Sequence, residues 1–211
     1  MRRITIQAET MHAVAVRPAQ DLELLLREPT GRRVKRRYTI RHARPDGGEL
    51  DLDVLLHGDG PGARWGAAAQ PGDTLEFQGP RGKLELRSAD AHLLVGDESA
   101  LPAIAAISEA LAEPVTAVIE VRDAIDELPV AAHAHWVHRG EAPPGRAELL
   151  ADALAGLDIA PGTRGYLMGE TRAMVALRGL LEGRGLAQDA IFVKGYWSLG
   201  RPDRLAGRRP P

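Results

Sequence analysis

The stretch Arg36-Arg37-Tyr38-Thr39-Ile40-Arg41 lies at the end of a run, 34–40, that is rich in the residue types of β-strands. Successive side chains of a strand point to opposite faces, so Arg36 and Tyr38 share one face and Arg37 and Thr39 share the other. The chain contains only three tyrosines, which makes the position of this ring informative. The run therefore predicts a strand that carries a cation, an aromatic ring and a hydroxyl close together.

This set of side chains matches the requirements of a bound flavin. A tyrosine ring can stack on the isoalloxazine, a hydroxyl can hydrogen-bond its polar edge, and an arginine can bind the pyrophosphate through two parallel hydrogen bonds. We therefore predict that Arg36, Tyr38 and Thr39 bind a flavin. An ordinary alternating strand would explain the same residues, and the pattern alone does not separate the two interpretations.

A second motif, a glycine-rich turn, follows the next predicted strand, 50–56, and precedes a short predicted helix, 63–69. The N-terminus of a helix reached through glycines presents free N–H groups to an anion, so this turn predicts a second phosphate contact. Trp65 beside Arg64 suits stacking on an adenine or on a ring edge. The predicted cofactor contacts in this segment are His57, Gly60, Gly62, Ala63 and Trp65. An ordinary turn of glycine, aspartate and proline is the alternative.

Residues 1–88 predict a small antiparallel β-barrel. Short runs of strand-forming residues alternate there with Gly, Pro and Asp turns. The predicted strands are 3–8, 22–27, 34–40, 50–56, 74–77 and 83–86.

Residues 91–200 predict a parallel sheet with helices on both faces, because apolar strands alternate there with helical patterns. The predicted strands are 92–95, 115–121, 135–137, 166–168 and 191–193, and the predicted helices are 100–112, 147–155 and 171–183. The fold class is thus all-β followed by α/β, with a domain boundary near 88–91. Residues 201–211 are rich in Pro, Gly and Arg and predict a loose tail.

The two motifs resemble the siderophore-interacting protein family, flavin-dependent ferric-siderophore reductases related to ferredoxin reductases. The resemblance continues in the same order through Gly79-Pro80-Arg81-Gly82, Gly96-Asp97-Glu98-Ser99-Ala100-Leu101-Pro102-Ala103-Ile104, Tyr166-Leu167-Met168-Gly169-Glu170 and Lys194-Gly195-Tyr196-Trp197. It implies FAD as the cofactor, a ferric siderophore as the substrate, and NAD(P)H or ferredoxin as the source of electrons. It also implies one more strand before residue 2, so we expect either a start further upstream or a barrel without its first strand.

Asp97 and Ser99 follow the first strand of the second half, at the strand end where dinucleotides bind in such sheets. Acidic side chains repel phosphate, so these residues better suit hydroxyls or the amide of a nicotinamide. We predict them as contacts of the nicotinamide donor. An equally good interpretation is that they only cap the helix, with Ser99 as its N-cap; Thr171 is the corresponding N-cap predicted for the helix 171–183.

Cations near the predicted flavin edge suit an anionic ferric chelate. Iron(III) is held by hard oxygen donors, and its reduction to iron(II) loosens them. Arg41 directly follows the flavin motif, whereas Lys194 and Arg201 follow the last predicted strand, and we predict these three as substrate-binding residues. A solvated surface explains each cation singly.

Two alternatives to a ferric-siderophore reductase remain open at this point. One is another NAD(P)H:flavin oxidoreductase with a protein or quinone acceptor, and the other is a non-catalytic remnant that binds a siderophore or flavin.

The composition excludes several other classes. The net charge of −2 gives no reason to expect a nucleic-acid partner, and the absence of cysteine excludes disulfides and cysteine-ligated clusters. No signal peptide or membrane-spanning run is visible, so we expect a cytoplasmic protein without membrane insertion. His133, His135 and His138 do not fall on one face of a strand, so we predict no metal site.

Overall fold

The computed structural model describes residues 1–200, and the chain divides into two compact units between Leu84 and Glu85. The sequence places the boundary a few residues later, at 88–91. In the described residues, no helix is long and apolar enough to cross a membrane. The predicted tail, 201–211, lies outside the described residues.

The first unit is built on one antiparallel sheet of five strands, in the order β1-β4-β3-β2-β5. Its elements are β1 (Arg2–Gln7), β2 (Asp21–Arg27), β3 (Arg33–Arg44), β4 (Glu49–Val54), the helix α1 (Pro61–Ala68) and β5 (Glu76–Arg81). Strand β2 pairs with β3 so that Leu22 lies opposite Tyr38 and Leu24 opposite Arg36, and both leucines are fully buried. Leu50, Leu52 and Val54 of β4 point into the same core.

A β-bulge interrupts the pairing of β3 with β4. Ile40 pairs with Leu52 and His42 pairs with Asp51, so Arg41 is the extra residue between them. A bulge re-aims the side chains around it and lets a strand bend, which extends β3 to twelve residues where the sequence predicts seven.

The second unit is a parallel sheet of five strands, in the order β10-β9-β6-β7-β8. Its elements are β6 (Ala91–Asp97), α2 (Leu101–Ala110), β7 (Val115–Val121), β8 (His133–His138), α3 (Glu148–Ala155), β9 (Thr163–Glu170), α4 (Thr171–Gly183) and β10 (Ile191–Trp197). Helices α3 and α4 pack on the face that carries Leu93 and Val95. Helix α2 covers the opposite face, where a Cβ at Gly96 would meet Ile104 at 3.2 Å.

The predicted fold class is confirmed, an antiparallel sheet followed by a parallel sheet with helices on both faces. One predicted strand is wrong: residues 83–86 lie outside the sheet. Gly82 has φ +127°, a conformation that favours glycine, and it follows the last residue of β5. The strand predicted at 74–77 is β5, and it begins later, at Glu76.

Candidate functional site

Arg36, Tyr38 and the N-terminus of α1 meet on the inner side of the first sheet. The rings of Tyr38 and Trp65 lie 5.7 Å apart between centroids, at 46°. A Cβ at Gly62 would lie only 1.9 Å from the Tyr38 hydroxyl oxygen and 3.9 Å from Cγ of Arg36. The structure thus brings together Arg36, Tyr38, Gly62 and Trp65, four of the predicted residues. Each residue of the first motif is at least 24 positions from each residue of the second.

The electrostatics of this cluster favour an anionic ligand with a polar ring edge. Burial raises the pKa of Tyr38 to about 12, with Arg36 working against the rise, so the hydroxyl remains a donor at neutral pH. Pro61 starts α1, and no side chain caps this helix among residues 1–200. Its first N–H groups, including that of Ala63, therefore have no partner within the helix. These groups and the Arg36 guanidinium are what a pyrophosphate requires.

The other predicted contacts of the first unit differ in their exposure. His57 and Gly60 are exposed in the turn before α1. Thr39 is buried and faces the side of β3 opposite to Tyr38, in register with Asp21. Arg41 is half-buried at the bulge.

The outer face of the first sheet carries an ion network that sequence reasoning missed. Arg44 binds the buried carboxylate of Asp51 through two hydrogen bonds of 2.7 and 2.8 Å, and Thr5 donates to it at 2.8 Å. These bonds, that of Arg44 above all, hold the pKa of Asp51 well below its usual range. The alternation of side chains along β3 and β4 predicts that Arg44 and Asp51 face outward. Which of the outward residues pair depends on the register of the strands, which the sequence does not give.

In the second unit, Asp97 is a buried junction between three strands. Its Oδ2 accepts the indole N–H of Trp197 at 2.8 Å and the backbone N–H of Glu170 at 3.0 Å. Its Oδ1 accepts the backbone N–H of Ser99 at 2.9 Å and the Ser99 hydroxyl. Burial raises the pKa of Asp97, and these donors oppose the rise. Asp97 is therefore the N-cap of the turn that leads into α2, and the N-cap predicted at Ser99 is wrong.

The start of α4 is arranged in the same way. Glu170 Oε2 accepts the backbone N–H groups of Arg172 at 2.6 Å and Ala173 at 2.8 Å, so Glu170 is the N-cap. The N-cap predicted at Thr171 is wrong, because its hydroxyl instead donates to the Trp197 carbonyl at 2.8 Å.

A second acidic group lies at the ends of β6 and β7. Arg139 binds Glu98 through hydrogen bonds of 2.6 and 2.5 Å and lies 3.7 Å from Oε1 of Glu120. Oε1 of Glu120 is buried without a hydrogen-bond partner among residues 1–200. Burial raises the pKa of Glu120 to about 7, although Arg139 acts in the opposite direction.

Lys194 lies on β10, and its ammonium sits 5.0 Å from the centre of the Tyr196 ring. A cation over an aromatic ring is attracted to it and takes a defined position. Arg201 lies outside the described residues.

The histidines of β8 do not converge on a metal. The rings of His133 and His135 meet edge to face, 4.7 Å apart, while His138 bonds to Glu127 at 2.7 Å. No group of three metal-ligating side chains occurs in residues 1–200.

Fold and site together define a flavoprotein-type pair of domains, and comparison with known proteins identifies the family. Residues 5–84 match the model of the siderophore-interacting FAD-binding domain, and residues 89–200 match that of the siderophore-interacting protein. The chain therefore belongs to the siderophore-interacting protein family, and its first unit is an FAD-binding domain.

Three known proteins illustrate the similarity. The chain is 33% identical over 199 residues to the ferric vibriobactin reductase ViuB of Vibrio cholerae, covering 85% of this chain and 72% of ViuB. A siderophore utilization protein from T. fusca has a crystal structure that matches with a TM-score of 0.85 and 34% identity, covering 94% of this chain and 87% of that one. The NADPH-dependent ferric-chelate reductase of Escherichia coli is 40% identical over 81 residues, 36% of this chain and 32% of that protein.

Proposed function

We propose that this protein is an FAD-dependent reductase that converts ferric siderophores to their ferrous form and so releases iron. The observation that carries the proposal is the cluster of Arg36, Tyr38 and Gly62 at the uncapped start of α1, within an FAD-binding domain. The relationship to a ferric vibriobactin reductase supports the choice of substrate.

The cluster suits FAD in its chemistry. In the proposal, Arg36 and the first N–H groups of α1 bind the pyrophosphate, the Tyr38 ring packs against the isoalloxazine, and Trp65 supports the ring of Tyr38 from behind. His57, Gly60 and Ala63 contribute through the turn before α1 and the start of that helix. Thr39, whose side chain faces the opposite side of β3 from Tyr38, contributes through its backbone in this proposal.

When bound, FAD accepts two electrons as a hydride and passes them on singly, which connects a two-electron donor to a one-electron acceptor. One dihydronicotinamide gives up one hydride, and two ferric chelates each take one electron. The ferrous ions then leave their hard oxygen ligands more readily. None of these steps asks the protein for a nucleophile or a general base.

The protein's own part in the second step is to hold the chelate. We assign this role to Lys194, supported by its contact with Tyr196, together with Arg41 and, as a prediction from sequence, Arg201. An ammonium attracts an anionic chelate as a point charge and demands no planar geometry. NAD(P)H or a ferredoxin supplies the electrons in this proposal, and the cytoplasm is the expected location.

Absorption spectra of the purified protein test the proposal. Wild type should carry or take up FAD, lose its oxidised band on anaerobic reduction, and regain it when a ferric siderophore is added. Tyr38→Ala should weaken FAD binding by about 1–3 kcal/mol, whereas Tyr38→Phe, which keeps the ring, should lose much less.

The result that would overturn the proposal is a colourless protein that gains no flavin on reconstitution. Reoxidation of the flavin by quinones or ferredoxin but not by ferric chelates would instead favour an oxidoreductase with a different acceptor.

A further inference from the structure

The place where an open parallel sheet normally binds a dinucleotide is filled in this protein by its own side chains. Ligands bind at the carboxyl ends of the strands, in the crevice where the chain connections diverge. In the order β10-β9-β6-β7-β8, that crevice lies between β6 and β9. Asp97 bridges it, because it accepts both the Glu170 backbone N–H at the end of β9 and the Trp197 indole at the end of β10.

The loop before α3 closes the same crevice from outside. A Cβ at Gly145 would lie 2.7 Å from the Trp197 ring and 3.0 Å from Cγ of Glu170. The loop backbone therefore packs directly on these two side chains, with no room for a phosphate between them.

The backbone groups that would hold a phosphate are also occupied. Three strand ends at this edge, those of β6, β7 and β9, lead into turns whose N–H groups bond to a carboxylate of the chain itself. Asp97 accepts from Ser99, Asp123 accepts from Ile125 at 3.0 Å, and Glu170 accepts from two residues of α4. The start of α3 has no such cap, but it carries the exposed acid Glu148 in its first turn.

Two cations of this edge are paired with acids, whereas Arg172 in the first turn of α4 and Arg146 in the loop before α3 are exposed. Arg139 is partly buried and donates from both terminal nitrogens to Glu98, and Arg122 donates to Glu141 at 2.7 Å. Glu120 adds a further carboxyl group to this edge, and its Oε1 is buried without a hydrogen-bond partner among residues 1–200. A phosphate approaching this edge therefore meets filled N–H groups and net negative charge.

We propose that the carboxyl edge of the parallel sheet does not bind the pyrophosphate of a nicotinamide dinucleotide. The protein therefore reacts more slowly with a reduced nicotinamide that carries more phosphate charge. This inference rests on the proposed FAD chemistry and names the donor class: a dihydronicotinamide recognised by its reducing ring alone. With FAD bound, the hydride would pass to the flavin and the oxidised nicotinamide would leave.

Three donors with the same ring and increasing phosphate number test the inference: reduced nicotinamide mononucleotide, NADH and NADPH. The bimolecular rate constant for flavin reduction in the FAD-loaded protein should not rise from the mononucleotide to NADH, and it should fall by threefold or more, as a rough estimate, from NADH to NADPH. Raising the salt from about 0.01 M to about 1 M shortens the Debye length from about 30 Å to about 3 Å, so the rate with NADPH should increase. A protein with a phosphate-binding site would show the opposite salt dependence.

Calorimetry with ADP-ribose and 2′-phospho-ADP-ribose provides a readout that does not depend on turnover. Neither should bind with a dissociation constant below about 1 mM. Asp123→Ser removes one exposed charge and keeps an oxygen that can cap Ile125, so it should speed flavin reduction by NADPH more than by the mononucleotide. Glu182→Gln is the matched control, because it removes the same charge at the far end of α4, where Glu182 bonds to Arg178 at 2.8 Å.

Micromolar binding of 2′-phospho-ADP-ribose, or a rate with NADPH that falls with salt, would overturn the inference and leave the proposed reductase intact. The proposed function is tested separately, by mixing dithionite-reduced protein with a ferric siderophore in the absence of any nicotinamide. If that reaction fails while the three nicotinamides still reduce the flavin in the expected order of rates, the proposed ferric substrate is wrong and the inference about the donor stands.

Discussion

At Gly62 the backbone of α1 packs directly against the Tyr38 hydroxyl. Any side chain at this position would overlap the hydroxyl oxygen, since even a Cβ would lie 1.9 Å from it. The glycine is therefore required by contact with the ring, and its φ angle is an ordinary helical one.

Gly62→Ala should displace Tyr38 and weaken FAD binding by roughly tenfold or more, which corresponds to about 1.4 kcal/mol. Fluorescence titration of the apoprotein with FAD measures this. The control is Gly179→Ala on α4, where a Cβ meets nothing within 4 Å. That change should leave FAD affinity unaltered and stabilise the helix by up to about 1 kcal/mol. Unchanged affinity in Gly62→Ala would contradict the assigned cluster.

Lys194 has a position defined by its ring contact with Tyr196. Lys194→Ala removes a charge and Lys194→Glu reverses it, so the KM for an anionic ferric chelate should rise in both, and more in the second. The effect should shrink in high salt, and flavin reduction by the nicotinamide should change little. Equal loss of both half-reactions would indicate that Lys194 supports the fold instead.

At the scale of elements, the Trp197 indole links the end of β10 to the end of β6 by a hydrogen bond to Asp97. Trp197→Phe keeps an aromatic ring but removes the indole N–H that donates to the buried Asp97. A buried carboxylate with one donor fewer should lower the free energy of unfolding by about 1–3 kcal/mol. Urea unfolding followed by circular dichroism measures the change. An unchanged midpoint would show that the bond contributes nothing to stability.

The elements differ in how well the sequence predicts them. Helix α4, Thr171–Gly183, and strand β7, Val115–Val121, have the predicted bounds, because their apolar patterns end at clear stop signals. The strand predicted at 83–86 is wrong, because its alternation is that of a connecting segment after Gly82. The local sequence pattern cannot distinguish a strand of the sheet from an extended connecting segment, because the turn before it determines whether it pairs.

The same contrast holds in the candidate site. Arg36, Tyr38 and Gly62 are predictable from two short motifs, since each motif is local. The caps at Asp97 and Glu170 are not: serine and threonine are the usual N-caps, and the neighbouring Ser99 and Thr171 satisfy that rule. The role of Asp97 depends on Trp197, which is 100 residues away in sequence.

At the scale of the whole molecule, Glu120 predicts how stability varies with pH. Its pKa is about 7 in the folded protein, above its ordinary value, because burial disfavours the charge. The folded state then binds more protons than the unfolded state between the two pKa values, so stability should fall as pH rises from about 4.5 to about 7, by at most about 3 kcal/mol. In urea unfolding, Glu120→Gln should flatten this part of the plot of unfolding free energy against pH. A slope equal to that of wild type would contradict the raised pKa of Glu120.

The central claim concerns electron transfer from the flavin to ferric iron, and one single-turnover measurement tests it most directly. FAD-loaded protein is reduced anaerobically, freed of reductant, and mixed with excess ferric siderophore and a ferrous chelator. The account predicts that the oxidised flavin band returns and that about two ferrous ions are trapped per flavin. A flavin that stays reduced, with no ferrous iron trapped, would contradict it.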